Sequence, residues 1–254
     1  MLIDSHCHFC FPELLSDADG VLARMRAAGV GMALNISTSM DDLNAVVEFA
    51  QEREGIFATV GIHPDNVDEG EPSLEELIAH ARRDKVVAIG ETGLDYFRLK
   101  EPLEWQRERF RRHIRAARET GKPLVIHTRA SAEDTLKIMR EEKAQEVGGV
   151  MHCFTEDAGV ARASMDLGFL ISFSGIVTFK NAQSLRDVVR EVPDDCILVE
   201  TDSPYLAPVP FRGKTNEPAY VAHVAATVAE VRGQSVEHIH NVTSDNFLKL
   251  FNIL

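Results

Sequence analysis

Eight short apolar segments recur along the chain, separated by longer stretches in which apolar residues return every three or four positions. Each segment begins with a nearly continuous apolar run, as expected for parallel strands that are covered on both faces. We therefore predict eight strands, at Leu2–His6, Met32–Ile36, Ile56–Ile62, Val86–Glu91, Pro123–His127, Gly149–Cys153, Gly168–Ser174 and Cys196–Asp202.

The intervening stretches have the periodicity of amphipathic helices. Ser73, followed three residues later by Glu76, has the spacing of a capping box, and Gly121 and Gly168 stand where a helix would end in a left-handed residue. The clearest apolar stripes lie at Leu43–Ala50, Leu74–Ala81, Leu185–Val192 and Val221–Val228.

Alternation of eight strands with helices over 254 residues indicates an α/β fold, a single-domain (β/α)₈ TIM barrel. We expect this one domain to span residues 1–254. A doubly wound open sheet is the alternative, but it would usually have fewer strands and often a glycine-rich first turn, which this chain lacks.

Composition narrows the function classes. The formal charge of −13 argues against broad nonspecific adhesion to nucleic acid, although a local phosphate site is compatible with it. The chain contains no apolar run of eighteen residues and no signal-peptide pattern, so we expect a cytoplasmic protein with no membrane partner and no obligate protein partner. Its four cysteines are then expected to stay reduced.

Histidines and carboxylates gather at the predicted strand ends, which all open on the same face of a parallel barrel. These residues are His6, His8, His63, Glu91, His127, His152 and Asp202. The remaining histidines fall in helical patterns and are expected at the surface; they are His80, His113, His223, His238 and His240.

His6 and His8 have the spacing that places two side chains on the same side of a strand, so both imidazoles can reach one metal ion. Cys7 would then point away, and we expect Asp4 to orient one of the imidazoles. A zinc–thiolate site at Cys7 and Cys10 is disfavoured because no second cysteine pair completes it.

Six potential ligands exceed what one tetrahedral ion uses, and this predicts two divalent metal ions with Glu91 bridging them. The ligands are His6, His8, Glu91, His127, His152 and Asp202. Imidazole and carboxylate suit zinc, manganese, iron or nickel better than magnesium. Two ions that share a hydroxide can promote hydrolysis, and we expect Asp202 to hold the attacking water and accept its proton. Asp202 could alternatively cap a following helix.

Cations near the same face suit phosphate oxygens. Arg129 follows His127 by two residues, and Arg212 and Lys214 lie in a long loop after the eighth predicted strand. Arg98 and Lys100 are further candidates. The neighbouring Tyr96 and Phe97 could stack on a nucleobase or simply pack their loop.

The chain resembles the TatD-type deoxyribonucleases, a branch of the amidohydrolase-like metal-dependent hydrolases, nearly from end to end. The resemblance rests on the segments Ile3–His8, Gly61–Pro64, Gly90–Tyr96, Pro123–Arg129, His152–Phe154, Glu200–Pro208 and Arg212–Pro218. The chain departs from the family pattern at Cys10, at Glu156 and in the segment Ala130–Asp134, and none of these departures removes a ligand.

The resemblance implies a TIM barrel of the metallo-dependent hydrolase type, with a two-ion site that hydrolyses phosphodiester bonds of DNA, often from the 3′ end. The formal charge of −13 predicts weak, salt-sensitive capture of polyanions, so short or single-stranded DNA is the expected substrate. His6, His8, Glu91 and Asp202 would hold one ion, and Glu91, His127 and His152 the other. Substrate phosphates would meet His63, Arg129, Arg212 and Lys214. Magnesium is often described for the family, whereas these ligands favour zinc or manganese.

Two other functions stay open at this point. A small-molecule amidohydrolase is one, although many of those bridge their ions with a carboxylated lysine where this chain has Glu91, and the nearest lysine, Lys85, precedes the strand. A nonenzymatic barrel with a structural metal is the other, although structural sites are normally closed and four-coordinate.

Overall fold

The computed structural model describes residues 1–67, 70–98 and 103–253. It contains all eight predicted strands, paired in parallel in chain order. Their bounds are β1 Leu2–Cys7, β2 Val30–Asn35, β3 Ile56–Val60, β4 Val86–Asp95, β5 Leu124–Arg129, β6 Gly149–Met151, β7 Phe169–Phe173 and β8 Ile197–Val199.

Contacts between the first and last strand regions close the sheet into a barrel. Cys7 and Ser203 form a parallel bridge. Beside it, Asp202 donates its backbone N–H to the carbonyl of His6 at 2.9 Å, and His8 donates to the carbonyl of Ser203 at 2.9 Å. The architecture is the predicted (β/α)₈ barrel, and this closure brings the His6–His8 segment beside Asp202.

Helices follow every strand and cover the outside of the barrel. They are α1 Pro12–Leu15, α2 Ala18–Ala27, α3 Leu43–Gln51, α4 Leu74–Ala81, α5 Glu104–Thr120, α6 Ala132–Glu141, α7 Ala158–Met165, α8 Gln183–Glu191, α9 Val221–Arg232 and α10 Val236–Leu250. Short 3-10 turns lie at Ala144–Glu146, Gly175–Thr178, Asp194–Cys196 and Pro218–Tyr220. No helix in the described ranges has the length and apolarity to cross a membrane.

Two predicted helix ends are confirmed in detail. At the start of α4, Ser73 and Glu76 exchange the reciprocal hydrogen bonds of a capping box. At the end of α5, Gly121 adopts the left-handed conformation with φ of 66°. Local sequence therefore set these boundaries through backbone hydrogen bonding and glycine's tolerance of positive φ.

α10 covers the amino end of the barrel. Ser244 donates to the carbonyl of Met1 at 2.9 Å, and the Asn246 amide donates to the carbonyl of Ile197 at 2.9 Å. Phe247 and Phe251 pack there against buried apolar residues from the strands. With one end of the barrel sealed by apolar packing, the carboxyl ends of the strands are where polar side chains can converge.

Candidate metal centre

A cavity of about 720 Å³ opens at the carboxyl ends of the strands. Its wall includes His8, His63, Glu91, His127, His152 and Asp202, together with Arg98 and Arg129. His6 lies beneath them and is fully buried. The structure thus brings the seven histidine and carboxylate residues predicted at the strand ends to one place.

The first half of the centre lies where the first and last strand regions of the barrel meet. His6 Nε2 lies 3.3 Å from His8 Nε2, 3.3 Å from Glu91 Oε2 and 3.6 Å from Asp202 Oδ1. His8 Nε2 lies 3.4 Å from Asp202 Oδ1 and 4.0 Å from Glu91 Oε2. Two imidazole nitrogens and two carboxylate oxygens therefore surround one small volume.

The second half gathers around the other oxygen of Glu91. Glu91 Oε1 lies 2.8 Å from His152 Nε2, 3.1 Å from His127 Nδ1 and 3.4 Å from His63 Nε2. His152 Nε2 and His127 Nδ1 are 3.4 Å apart. Each oxygen of Glu91 thus faces a different group of imidazoles, which is the arrangement that a bridging carboxylate requires.

A close approach of β4 and β5 positions Glu91 and His127. β4 runs four residues beyond its predicted end at Glu91, to Asp95, and Gly93 pairs in register with His127. Gly93 has φ of 138°, and a Cβ atom there would lie 2.0 Å from the carbonyl oxygen of His127. Glycine is required at this position because any side chain would push the two ligand-bearing strands apart.

Backbone and side-chain acceptors fix the tautomers of two imidazoles. His8 Nδ1 lies 3.3 Å from the carbonyl oxygen of Ile36, and His152 Nδ1 lies 3.2 Å from Glu200 Oε1. Glu200 Oε1 also accepts the N–H of Cys153 at 2.7 Å. With Nδ1 donating, Nε2 of each ring would present its lone pair to an ion whenever the ring is neutral.

The two arginines of the cavity wall reach imidazoles through carboxylates. Arg98 Nη1 lies 2.7 Å from Asp65 Oδ2, and Arg129 Nε lies 3.5 Å from Asp95 Oδ2. Those carboxylates contact the outer nitrogens of two rings, giving the chains His63–Asp65–Arg98 and His127–Asp95–Arg129. The carboxylates therefore orient rings on the inside and cations on the outside of one wall.

Burial and mutual contact shift the ionisation of the centre. Burial opposes a charge on His152, but the charges of Glu91 and Glu200 prevail and raise its pKa well above the usual value. Burial likewise opposes a charge on Glu91, yet the neighbouring His152 and His63 hold its pKa well below the ordinary range. The pKa of Asp202 is also lowered, against burial, by the hydrogen bond from His8 and the charge of His6. Both carboxylates are therefore anionic at neutral pH.

This donor set fits divalent cations. Imidazole nitrogens and carboxylate oxygens converge within one another's reach in three overlapping groups of three. The outer nitrogens of four rings are hydrogen-bonded, as ligating histidines almost always are. The exception is His6, whose Nδ1 is buried and has no hydrogen-bond partner in the described part of the chain.

Asp4 does not orient an imidazole as the sequence suggested. Its carboxylate accepts the backbone N–H of Thr201 at 2.8 Å and the Thr201 hydroxyl at 2.6 Å. It also accepts the backbone N–H of His6 at 3.3 Å. Asp4 therefore ties β1 to the segment after β8 and positions His6 through its backbone.

Arg212 and Lys214, which the sequence predicts to meet substrate phosphates, are not among the residues that line the cavity. The Arg212 guanidinium lies 3.8 Å from the centroid of the Phe179 ring and donates to the carbonyl of Ala207. Lys214 lies beside Phe211. Lys100 is outside the described residues.

One other expectation is wrong, and two alternatives that the sequence left open are resolved. His113 is buried in α5 rather than exposed, because its Nε2 accepts the N–H of Ile62 at 3.2 Å and its Nδ1 donates to the carbonyl of Arg109. Tyr96 packs its loop, donating its hydroxyl to Asp134 at 2.7 Å. Asp202 caps no helix, since the next described helical turn begins at Pro218.

Asp65, Asp95 and Glu200 are the residues that motif reasoning left without a role. All three lie close in sequence to residues predicted for the site. Asp65 is two residues from His63, Asp95 four residues from Glu91, and Glu200 two residues from Asp202. A sequence signal was therefore present, since ligating histidines commonly pair with a carboxylate. Which carboxylate meets which ring depends on side-chain direction, and spacing alone does not give it.

Comparison with known proteins agrees with this geometry. The family model for TatD-related DNases matches residues 3–252. The chain is 48% identical to the metal-dependent hydrolase YcfH of Escherichia coli K12, covering 99% of this chain and 96% of the relative. It is 43% identical to the metal-dependent hydrolase YabD of Bacillus subtilis over the full length of both.

Among solved structures, the TatD homologue YjjV of Escherichia coli K12 superposes with a TM-score of 0.93 at 30% identity, covering 100% of this chain and 98% of that one. Fold, convergent ligands and whole-length similarity agree with one another. The chain is a metal-dependent hydrolase and belongs to the TatD-related DNase family.

Proposed function

We propose that the protein is a two-metal phosphodiesterase that hydrolyses DNA, acting on short or single-stranded substrates from the 3′ end. The observation that carries the proposal is the placement of Glu91, whose Oε2 faces His6 and His8 while its Oε1 faces His127 and His152. One carboxylate between two groups of ligands is suited to two ions rather than one.

These contacts support two ligand sets. His6, His8, Asp202 and Glu91 Oε2 would hold one ion, and Glu91 Oε1, His127 and His152 the other. His63 also lies within reach of Glu91 and His127, and His152 within reach of His6 and Asp202. When bound, two such ions activate water and stabilise the charge that develops on phosphate oxygens. Zinc or manganese suits this nitrogen-rich set better than magnesium.

Asp202 is placed to accept the proton of the attacking water. Its Oδ1 lies beside His6 and His8, its side chain is 15% exposed, and it forms part of the cavity wall. Its lowered pKa keeps it anionic and able to take the proton as the water oxygen bonds to phosphorus. Glu91, which is 3% exposed, is shielded from that role and serves as the bridge.

Arg98 and Arg129 supply the substrate's counter-charge. Among the described residues of the cavity wall, these two arginines are the side chains with a permanent positive charge. Guanidinium groups bind phosphate oxygens in a bidentate manner. His63, with Nε2 turned toward Glu91, reaches the same space. An overall charge of −13 opposes long polyanions, so a few local contacts favour short or single-stranded DNA.

The amidohydrolase alternative is weaker on this structure. The strand-four position that carries a carboxylated lysine in many such enzymes holds Glu91. Lys85 precedes β4 and packs its ammonium over the Phe57 ring at 5.1 Å. It is at the amino end of the strand, away from the cavity.

Hydrolysis of end-labelled oligonucleotides by protein loaded with zinc, manganese or magnesium tests the proposal directly. We expect shortening of single-stranded DNA in a ladder from the 3′ end and an elemental count of about two ions per chain. Matched RNA, cyclic amides and lactones are assayed in parallel. Preferential turnover of an amide or lactone would replace the proposed substrate class.

Two pairs of variants separate chemistry from general damage. His6→Ala and Asp202→Asn are expected to abolish hydrolysis, and His6→Ala also to reduce the ion count. The matched controls are His80→Ala in α4 and Asp245→Asn on the exposed side of α10, both distant from the cavity. Full activity of Asp202→Asn would contradict its assignment as the proton acceptor.

A further inference from the structure

We infer that Tyr205 is a base-stacking platform, which binds one nucleobase of the strand next to the hydrolysed phosphodiester. The inference rests on the proposed function and extends it to a subsite that binds a nucleobase without preference for the DNA sequence. Tyr205 forms part of the cavity wall and is nevertheless 53% exposed. An exposed aromatic ring at the mouth of a polar site offers a flat face on which a nucleobase can stack.

The backbone of Tyr205 is held rigidly. Its N–H donates to the carbonyl of Asp202 at 3.0 Å, and its carbonyl accepts the side-chain amide of Asn216 at 2.6 Å. Asn216 is fully buried and also donates to the carbonyl of Thr201 at 2.9 Å. The buried amide therefore fixes the turn that carries both Asp202 and Tyr205, so the backbone from which the ring projects is held relative to the metal centre.

A second aromatic ring supports the first. The Phe11 ring meets the Tyr205 ring edge-on, with centroids 6.1 Å apart, and stacks on the imidazole of His8 at 4.6 Å. This series of rings runs from a candidate ligand to the cavity mouth. The exposed part of Tyr205 continues the series outward, where a flat π-system would extend it.

Charge is distributed to match a nucleotide laid across the mouth. Tyr205 follows β8, whereas Arg98 follows β4 and Arg129 is the last residue of β5, across the eight-stranded barrel from β8. A phosphate can lie between the arginines and the metal centre while its attached base extends toward Tyr205. Stacking on an aromatic ring tolerates every base because every base has a π-face.

The decisive measurement replaces the base rather than the phosphate. Single-stranded oligonucleotides are compared with versions in which the two nucleotides flanking the cleaved bond are abasic. For Tyr205→Ala we expect KM on the normal strand to rise about 5- to 150-fold. No change is expected on the abasic strand. Tyr205→Phe keeps the π-face and should behave as the wild type.

Val209→Ala is the matched control. Val209 lies in the same loop and is 49% exposed, but it is not in the cavity wall. Its KM values should match those of the wild type on both strands. Equal losses on normal and abasic strands in Tyr205→Ala would overturn the stacking assignment while leaving the nuclease proposal intact. Failure of the wild type to cleave either strand would overturn both.

A spectroscopic readout tests stacking without hydrolysis. In the Asp202→Asn background, a strand carrying 2-aminopurine beside the scissile bond should lose fluorescence on binding, because stacking quenches this base. The quench should disappear when Tyr205→Ala is added and persist with Tyr205→Phe. Quenching that survives Tyr205→Ala would place the base elsewhere and overturn the inference.

Discussion

Glu91 Oε1 lies 2.8 Å from Nε2 of His152, and both side chains are 3% exposed. The charges of Glu91 and Glu200 raise the pKa of His152 well above its usual value although burial opposes this. A proton on His152 therefore satisfies Glu91 in the protein without ions. A divalent cation has to displace that proton, because only the neutral imidazole offers a lone pair.

Metal binding is consequently expected to release protons and to weaken as the pH falls. An imidazole of raised pKa stays protonated up to a higher pH, so affinity should rise as the pH increases through that pKa. Calorimetric titration of metal-free protein with zinc, in buffers of different ionisation enthalpy, gives the number of protons released. Glu200→Gln should lower this number, since it removes one charge that raises the pKa of His152. A pH-independent affinity with no proton release would contradict the argument.

Asp95 predicts a second effect, on ligand orientation. Its Oδ2 lies 3.1 Å from Nε2 of His127 and 3.5 Å from Nε of Arg129. One carboxylate therefore aligns a candidate metal ligand, His127, and a cation of the cavity wall, Arg129. We expect Asp95→Asn to lower metal affinity or kcat by about 10- to 100-fold. Competition with a chromogenic chelator measures the affinity.

Asp134→Asn is the appropriate comparison for that variant. Asp134 accepts the hydroxyl of Tyr96 near the same loop but contacts none of the candidate ligands. Its metal affinity is expected to equal that of the wild type. If both variants lose affinity to the same extent, the effect belongs to the loop and not to the orientation of His127.

Buried polar residues of α5 hold the segment that carries His63. The Gln106 amide donates to the carbonyl of Pro64 at 2.8 Å, and its oxygen accepts the N–H of Asp95 at 3.0 Å. Arg109 donates to the carbonyl of His63 at 3.3 Å. The helix after β4 therefore couples the loops that follow β3 and β4.

Gln106→Met keeps the length of the side chain but leaves a buried carbonyl and a buried N–H without their partner. We expect a loss of about 1–3 kcal/mol in the free energy of unfolding, together with a lower kcat because the positions of His63 and Asp95 are less well fixed. Denaturant midpoints and steady-state kinetics measure the two effects. Met139→Leu, a buried apolar exchange in α6, is the control for core disturbance and should leave kcat unchanged.

The fold and the convergence of the candidate ligands could be predicted because both depend on period and position along the chain. Apolar runs gave the strands, and parallel pairing sends every strand end to one face. The positions of His152 and Asp202 could be predicted from the strands alone, although β6 and β8 end before these residues. Their place in the centre follows from where the strands point.

What the sequence could not give depends on side-chain direction within loops. The Arg212 guanidinium stacks on Phe179, which is far from it in the sequence. Asn216, four residues further on, proved to be the buried support of the Asp202 turn. Such contacts arise from the packing of the loop after β8 and leave no periodic signal in the chain.

Asp4 leads to the last prediction, on the pH dependence of stability. Burial raises the pKa of Asp4 to about 8 from its ordinary value near 3.8, despite hydrogen bonds from Thr201 and His6 that lower it. Between these two pH values, the folded protein holds a proton that the unfolded chain has released. The contribution of Asp4 to stability therefore decreases as the pH rises from about 4 to about 8.

Asp4→Asn removes this titration while keeping the size of the side chain. In metal-free protein, the wild type is expected to lose more stability between pH 5 and pH 8 than Asp4→Asn, because the folded variant has no buried carboxyl group to ionise. Chemical denaturation at both pH values measures the difference, and the titrations of other groups are common to both proteins and cancel. Parallel pH profiles for the two proteins would show that Asp4 is already ionised in the folded state at pH 5.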